Sequence, residues 1–178
     1  QPSYFLRVGG CDVGCHWCDV KESWDPNLHP LTKVDDIIKE IEKISVNIVV
    51  ITGGEPLMWN LDYLCQKLRS LNIKVHLESS GAYPLSGIFD WICLSPKKSQ
   101  PPLEKIKIIA NELKVIISNN NDFKWALLQQ KDINADCKLY LQPEWSKREF
   151  ILPKIIDFVT LNPQWIISLQ THKYMNIP

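Results

Sequence analysis

The chain has 178 residues, of which 45% are apolar and 22% are charged. This composition is typical of one globular domain that is large enough to bury a hydrophobic core. Its 20 basic and 20 acidic residues give a formal net charge of zero at pH 7, which favours small or neutral partners over nucleic acid or an anionic membrane. No apolar run is long enough to span a membrane, and the first residues lack the pattern of a signal peptide. We therefore expect a single cytoplasmic domain over residues 1–178.

Short apolar segments alternate with helical patterns along the whole chain. Alternating or β-branched runs predict strands at residues 3–8, 47–51, 73–78, 90–95, 112–118, 138–142 and 165–170. The spacing of apolar residues predicts helices at residues 32–44, 61–71, 103–109, 121–131 and 153–161. Such alternation indicates parallel strands with helical crossovers, in a doubly wound sheet or in a complete or partial barrel.

Three of the predicted helices carry local signals at their starts. Thr32 and Asp35 have the spacing of a capping box. Asn60 is a typical N-cap residue before the second helix. Pro153 suits the first turn of the last helix, because a first-turn residue needs no amide hydrogen.

Polar motifs follow six of the predicted strands directly. The first strand leads into a cysteine-rich loop, and the others into TGGEP (52–56), ESSG (78–81), SPKK (95–98), QPEW (142–145) and QTHK (170–173). The carboxyl ends of parallel strands in β/α folds meet on one face, where ligands bind. These motifs are therefore expected to line one pocket.

Three of the six cysteines lie in that first loop, as Cys11, Cys15 and Cys18. Such clustering in a reducing compartment indicates metal more than disulfides. A structural zinc ion needs a fourth ligand, which His16 or His29 would supply. A four-iron, four-sulfur cluster held by three thiolates keeps one iron free for another ligand. Three unrelated buried thiols are the third interpretation, and the other cysteines, Cys65, Cys93 and Cys137, suit the core.

The loop and the motifs after it resemble a known enzyme superfamily. The pattern C-x3-C-x-W-C, with Trp17 before the third cysteine, and GGEP after the next strand are similar to the signatures of the radical SAM enzymes. Within that superfamily, FLRVGGC, ESSG, SPKK, LQPEW and SLQTHKYMNIP resemble the 7-carboxy-7-deazaguanine synthase family over essentially the whole chain. The resemblance implies a partial (β/α) barrel that contracts the ring of 6-carboxy-5,6,7,8-tetrahydropterin with loss of ammonia, in queuosine or 7-deazapurine biosynthesis.

The resemblance also implies cofactors and the residues that bind them. Cys11, Cys15 and Cys18 would hold a four-iron, four-sulfur cluster whose open iron binds S-adenosylmethionine, which is regenerated in each turnover. The cofactor-binding residues it implies are Trp17, Cys18, Asp19, Gly53, Gly54, Glu55, Ser95, Pro96, Lys97, Gln142, Pro143, Glu144 and Trp145. Glu55 would accept from the ammonium group of the cofactor, and Lys97 would meet a carboxylate or ribose hydroxyls. A plain strand-to-helix turn is the alternative interpretation of GGEP.

For the pterin substrate, the resemblance points to residues near several strand ends and at the end of the chain. They are Arg7, Thr52, Glu78, His172 and the C-terminal carboxylate of Pro178. Arg7 offers a fork for the pterin carboxylate, and a carboxylate such as Glu78 suits the donor edge of the aminopyrimidinone ring. The resemblance assigns no catalytic acid or base. It further implies a homodimer and a reductant such as flavodoxin or ferredoxin.

Two departures from the family pattern affect these expectations. Family members commonly have threonine, a magnesium ligand, where this chain has Val20, which offers no side-chain oxygen. Our hypothesis is that magnesium binds weakly or not at all, and that Lys21 supplies part of the positive charge. The family also has an N-terminal segment with a Gln-Gly-Glu-Gly turn, and this chain starts after that point. We expect such a segment to complete one wall of the pterin site.

Two other functions fit parts of the pattern. One is a radical SAM activating enzyme that acts on a protein partner, for which QTHK would have no special role. The other is a noncatalytic zinc or iron–sulfur domain, which would not explain why GGEP, SPK and QPEW each follow a strand.

Overall fold

In the computed structural model, which describes residues 2–177, seven parallel strands lie side by side in chain order. They are β1 (Tyr4–Val8), β2 (Ile48–Gly53), β3 (Lys74–Ser79), β4 (Trp91–Leu94), β5 (Glu112–Ile117), β6 (Lys138–Pro143) and β7 (Trp165–Ile167). A doubly wound sheet reverses its strand order at a switch point, whereas this order never reverses. The partial barrel implied by the resemblance is therefore confirmed.

Helices lie in most of the connections between successive strands, and one more follows β7. They are α1 (Val34–Glu42), α2 (Asp62–Ser70), α3 (Glu104–Ile109), α4 (Asn121–Lys131), α5 (Arg148–Leu161) and α6 (Thr171–Tyr174). Single 3-10 turns cover Lys21–Ser23, Pro26–Leu28, Pro56–Met58 and Trp145–Lys147. Within residues 2–177, no helix is both long and apolar enough to cross a membrane.

The two faces of the sheet differ in chemistry because burial alternates along β3, β5 and β6. In β5, Leu113 and Val115 are buried and belong to one hydrophobic cluster with residues of the flanking helices, such as Ile106 and Ile155. The alternate residues face the interior of the partial barrel and are largely polar, as in Lys114. The helices therefore cover an apolar face, and the opposite face is free to form a polar site.

The capping signals at two helix starts had different outcomes. The Thr32–Asp35 capping box is wrong: α1 begins at Val34, and the Thr32 hydroxyl donates to the carbonyl of Pro30 at 3.2 Å instead. A local turn of this kind competes with the helix for the threonine side chain. The N-cap predicted for α2 is wrong by one residue: the N-cap is Leu61, and the side-chain oxygen of Asn60, just before it, accepts from the amide of Asp62 at 2.9 Å.

The start predicted for the last long helix is wrong by about one turn. Helix α5 begins at Arg148 and contains Pro153 in its interior. Ile151 and Ile155 are both fully buried on the same face of the helix. Burial of a whole turn before the proline outweighs the one backbone hydrogen bond that the proline cannot make.

The packing of α5 generates a stability prediction from two neighbouring isoleucines. Ile155 is 0% exposed and Ile156 is 48% exposed. Replacing Ile155 with alanine leaves a cavity, and we expect it to lower the free energy of unfolding by about 2–5 kcal/mol. The matched change Ile156→Ala is expected to stay within about 0.5 kcal/mol of the parent. Urea titration of both variants measures the difference, and equal losses would contradict the assigned packing.

Candidate active site

The loops after the strands are joined to one another by backbone hydrogen bonds. The amide of Glu55 donates to the carbonyl of Gly10 at 2.8 Å, which joins GGEP to the cysteine loop. The amide of Ser95 donates to the carbonyl of Ser79 at 2.8 Å, which joins SPKK to ESSG. The predicted convergence of motifs at one end of the sheet is therefore found.

Contacts from three other parts of the chain restrain the cysteine loop. The indole nitrogen of Trp59 donates to the carbonyl of Gly9 at 2.9 Å, and the hydroxyl of Ser99 donates to the carbonyl of Val13 at 2.9 Å. The amide of Cys11 donates to the carbonyl of Trp24 at 3.1 Å. The loop thus has a defined backbone path next to GGEP and SPKK.

All three cysteines of the loop are free thiols that are partly open to solvent. Burial raises the pKa values of Cys11 and Cys15, and the neighbouring Cys18 acts on both in the same direction. No group of three or more His, Cys, Asp or Glu side chains in residues 2–177 is arranged to hold a metal ion. Three free thiols on one restrained loop are nevertheless the donor set that suits an iron–sulfur cluster with three protein ligands.

Neither histidine of the zinc interpretation joins the three thiols. His29 makes a hydrogen bond through Nε2 with the carbonyl of Glu22 at 2.9 Å. His16 is exposed, and its ring meets the edge of Trp17 with the centroids 6.4 Å apart. The side-chain contacts of these residues give no support to a Cys3His site.

Both glycines of GGEP are required by close backbone packing. Gly53 has a φ of +117°, and a Cβ atom there would lie 2.4 Å from the amide nitrogen of Val8. A Cβ atom on Gly54 would lie 2.2 Å from the carbonyl oxygen of Gly10. Any larger residue would push the cysteine loop away from GGEP. The close approach seen here is to protein backbone, and the predicted approach to the cofactor stays a prediction.

Glu55 is 2% exposed, and its carboxylate accepts four hydrogen bonds from the protein. Oε1 accepts from the Ser79 hydroxyl at 2.6 Å and from the Leu57 amide at 3.1 Å. Oε2 accepts from the amide and the hydroxyl of Ser80, at 2.8 and 2.5 Å. These donors match the four lone-pair positions of a carboxylate. Glu55 therefore ties GGEP to ESSG, and its role as an acceptor for the cofactor ammonium group stays a prediction. Sequence analysis assigned no role to the two serines.

Lys97 presents a positive charge beside the cysteine loop. Its ammonium donates to Oγ of Ser95 at 2.8 Å and also to the Ser95 carbonyl, and it lies 5.7 Å from the ring centroid of Trp17. Burial lowers the pKa of Lys97, while neighbouring Cys15 acts in the opposite direction. A cation that is partly desolvated in this way suits the carboxylate of an amino-acid ligand.

The predicted substrate residues that the structure describes also come together. Arg7 lies opposite Thr52 in the pairing of β1 with β2, and the Thr52 hydroxyl donates to Oε2 of Glu78 at 3.3 Å. His172 is close enough that Arg7 and burial both lower its pKa. Pro178, the fifth of these residues, lies outside the described residues.

Sequence analysis missed Lys114, which forms a salt bridge with Glu78. The Lys114 ammonium lies 2.9 Å from Oε1 of Glu78, and the two side chains are 16% and 38% exposed. Burial by itself would raise the pKa of Glu78, but Lys114, Thr52 and Arg7 together lower it. A lysine between two buried apolar residues of a predicted strand was the signal that could have identified it.

The C-terminal segment contacts two of the predicted cofactor residues. Asp19 accepts a hydrogen bond from the side-chain amide of Gln170 at 2.8 Å and also pairs with Lys173. Lys173 also lies 5.0 Å from the ring centroid of Trp145. The QTHK motif therefore packs on residues next to the third cysteine, although the two segments are far apart in the sequence.

Four further predicted residues make local contacts or are buried. Glu144 accepts from the amide and hydroxyl of Ser146 at 2.9 and 2.7 Å, and so caps the short turn after β6. Gln142 accepts from the Ser168 hydroxyl at 3.4 Å, and Pro143 is buried at the end of β6. Pro96 is buried within SPKK. These contacts position the segments, and the cofactor roles of these residues stay predictions.

The segment after the third cysteine offers no extra side-chain oxygen at position 20. The backbone carbonyl of Val20 accepts from the Ser23 hydroxyl at 2.7 Å. The Lys21 ammonium lies 5.7 Å from the ring centroid of Trp24, and the side chain is exposed. Weak magnesium binding at Val20 stays a prediction, and Lys21 lies beside a tryptophan ring.

Comparisons with known proteins agree with this geometry. Residues 6–114 match the model of the Radical SAM superfamily. The 7-carboxy-7-deazaguanine synthase of Flavobacterium psychrophilum is 56% identical over 176 residues, covering 99% of this chain and 83% of the relative. The synthase of the same name from Synechocystis is 47% identical over 175 residues, covering 98% and 84%. The crystal structure of QueE from Escherichia coli superposes with a TM-score of 0.80 at 25% identity, covering 95% of this chain and 85% of that one.

The buried carboxylate of Glu55 generates a second stability prediction. In Glu55→Gln, an amide nitrogen replaces one carboxylate oxygen. That nitrogen then faces hydroxyl and amide groups that donate hydrogen bonds to the oxygen in the parent protein. We expect a loss of about 1–3 kcal/mol in the free energy of unfolding, because a buried group is left unsatisfied. The exposed Glu42→Gln is the matched control and is expected to change little. Urea midpoints at constant slope measure both, and an unchanged midpoint for Glu55→Gln would exclude the proposed tie between GGEP and ESSG.

Proposed function

We propose that this chain, which belongs to the 7-carboxy-7-deazaguanine synthase family of the radical SAM superfamily, converts 6-carboxy-5,6,7,8-tetrahydropterin to 7-carboxy-7-deazaguanine. The reaction contracts the pyrazine ring and releases ammonia, and S-adenosylmethionine is used catalytically. Family membership leaves no support for an activating enzyme or a zinc domain. The observation that carries the proposal is the meeting of two groups at the strand ends: a three-thiol loop beside Lys97, and the cluster of Arg7, Thr52, Glu78 and His172.

The residues of the loop and of SPKK fit the two cofactors. Cys11, Cys15 and Cys18 would hold a four-iron, four-sulfur cluster, and Lys97 would pair with the carboxylate of S-adenosylmethionine. When bound and reduced, these cofactors would supply radical hydrogen abstraction, a reaction that acid–base side chains do not provide. Trp17, whose ring lies beside the Lys97 ammonium, supports this part of the proposal by covering the cation on one side.

The polar interior of the barrel would bind and orient the pterin. Arg7 has a forked set of donors for the substrate carboxylate. Glu78 is held by Thr52 on one oxygen and by Lys114 on the other, and it is kept ionised because its pKa is lowered. A fixed, ionised acceptor suits the N–H groups of the aminopyrimidinone ring. Orientation of the reacting carbon is the main contribution that we assign to these residues.

Further features of the working enzyme belong to the same proposal. We propose one domain over residues 1–178, a cytoplasmic location, a reductant such as flavodoxin or ferredoxin, and a homodimer. One hydrophobic cluster that joins all parts of the described sheet supports the single domain. An exposed apolar groove supports association with a second copy; it is lined by Pro84, Leu85, Leu103, Ile106, Ile108 and Ile109.

The proposal is tested directly by turnover. The reconstituted protein is incubated without oxygen with the carboxypterin, S-adenosylmethionine and a reductant. Mass spectrometry is expected to detect a product that is lighter than the substrate by one ammonia, with little net consumption of S-adenosylmethionine. Absence of that product from iron-loaded protein would overturn the proposed function.

The cluster ligands are tested by single cysteine changes. Cys15→Ala removes one of three thiolates, and we expect it to lose most of its iron and all detectable turnover. Cys137→Ala lies outside the loop and is buried in the core, so it is the matched control and is expected to keep its iron. Iron analysis after reconstitution measures both variants. Equal iron contents would exclude Cys15 as a ligand.

The role of magnesium is tested at position 20. Because Val20 has no oxygen to offer, we propose that magnesium is weakly bound or absent and that turnover changes less than about twofold on chelation. Val20→Thr is expected to gain a magnesium dependence. Initial rates with added magnesium and with a chelator measure both proteins. A strong dependence in the parent protein would reject the proposal.

A further inference from the structure

Lys114 places an incompletely bonded ammonium inside the partial barrel. An ammonium has three donors, and in residues 2–177 the hydrogen bond found for Lys114 goes to Oε1 of Glu78 at 2.9 Å. The side chain is only 16% exposed. Donors that are left without acceptors in a largely buried position are costly. Two donors of Lys114 are therefore available to a ligand.

The position of Lys114 directs those donors to the same space as the acceptor of Glu78. Lys114 is on the interior face of β5, where it pairs in register with Tyr140 of β6. Glu78 is on β3, and its side chain crosses the intervening strand β4 to meet Lys114. Glu78 accepts one bond on each oxygen, so two of its four lone-pair positions stay open. An open acceptor and an open donor therefore lie side by side.

We propose that Lys114 is a second substrate-recognition residue, which donates to the ring carbonyl of the aminopyrimidinone while Glu78 accepts from the neighbouring ring N–H. An adjacent acceptor and donor match the N–H and C=O of a cyclic amide, which is the edge that distinguishes a 4-oxo pterin from a 4-amino one. This inference rests on the proposed function. It adds a residue and a basis for specificity that the resemblance to the family did not supply.

A purely structural salt bridge is the competing explanation. A buried ion pair is weak evidence for stability, and its removal can be neutral. The two explanations differ in ligand selectivity, since a structural pair would not discriminate a ring carbonyl from a ring amine. They differ also in the pH dependence of ligand binding.

The pH dependence follows from the charges around Glu78. The charged or titratable groups that influence Glu78 or its partner Lys114 are Arg7 on β1, Cys93 on β4, Lys97 after β4, Glu112 on β5 and His172 in the C-terminal segment. Lys114 is the strongest of the influences that lower the pKa of Glu78, and burial acts in the opposite direction. Without Lys114 the carboxyl would take up a proton at a higher pH. The acid limit of pterin binding is therefore expected to move to higher pH.

The experiment measures binding of two inert ligands to the reconstituted holoenzyme without reductant. The ligands are 6-carboxypterin and 2,4-diaminopteridine-6-carboxylate, which has an amine in place of the ring carbonyl. The variants are Lys114→Met and Lys114→Arg, with Lys138→Met as the matched control. Lys138 also lies on the sheet but is exposed, with its ammonium 5.3 Å from the ring centroid of Trp91. Calorimetry gives each Kd across a pH series.

We expect the parent protein to bind the 4-oxo ligand more tightly than the 4-amino one. Lys114→Met is expected to weaken 4-oxo binding roughly 10- to 100-fold, the effect of losing a hydrogen bond to a charged group. It should also reduce the discrimination between ligands and raise the acid limit of binding. Lys114→Arg should restore part of the affinity, and Lys138→Met should match the parent.

Three outcomes would overturn the inference, and they can be told apart. If the parent protein binds the two ligands equally, it does not recognise the ring carbonyl. This result comes from the parent protein alone and does not depend on the folding of any variant. If Lys114→Met keeps the parent affinity, selectivity and acid limit, Lys114 has no recognition role, although the proposed function stands. If the parent protein binds neither ligand, the inference and the proposed substrate both fall.

Discussion

The buried carboxylate of Glu55 is the contact on which the arrangement of the candidate site depends. It joins the loop after β2 to the carboxyl end of β3 through three hydrogen bonds from Ser79 and Ser80, while the backbone of GGEP packs directly on the cysteine loop. Burial of a charge is tolerated only when its acceptor positions are filled. The serines of ESSG fill three of these positions and the amide of Leu57 fills the fourth. The residues that satisfy Glu55 therefore also hold the neighbouring loops together.

The division of the sheet into two faces explains how one strand can serve both stability and binding. Residues such as Leu113 pack against the helices in the common core, and their neighbours such as Lys114 face the barrel interior. Within residues 2–177, the strands at the two ends of the sheet do not pair with each other, so the sheet does not close into a complete barrel. Charged side chains in that interior form ion pairs with one another, as Glu78 and Lys114 do. Each of the two keeps hydrogen-bonding positions that a ligand can use.

Much of the fold was predictable because its signals are local or periodic. Each of the seven predicted strands overlaps an observed strand, and helix α4 has the predicted bounds. The errors are also local. Thr32 bonds back to Pro30 rather than capping α1, because two short-range options competed for one hydroxyl. Pro153 lies inside α5 because burial of Ile151 and Ile155, which the local signal did not include, extends the helix before it.

The sequence by itself determined the parallel β/α architecture, the three-thiol loop and the set of motifs at the strand ends, since periodicity and spacing carry that information. Only the tertiary structure decided which polar side chains form hydrogen bonds or ion pairs with one another. The serine partners of Glu55 are 24 and 25 residues away, Lys114 is 36 residues from Glu78, and Lys173 is 154 residues from Asp19. Such pairs follow from strand register and loop packing, and no short stretch of sequence specifies either.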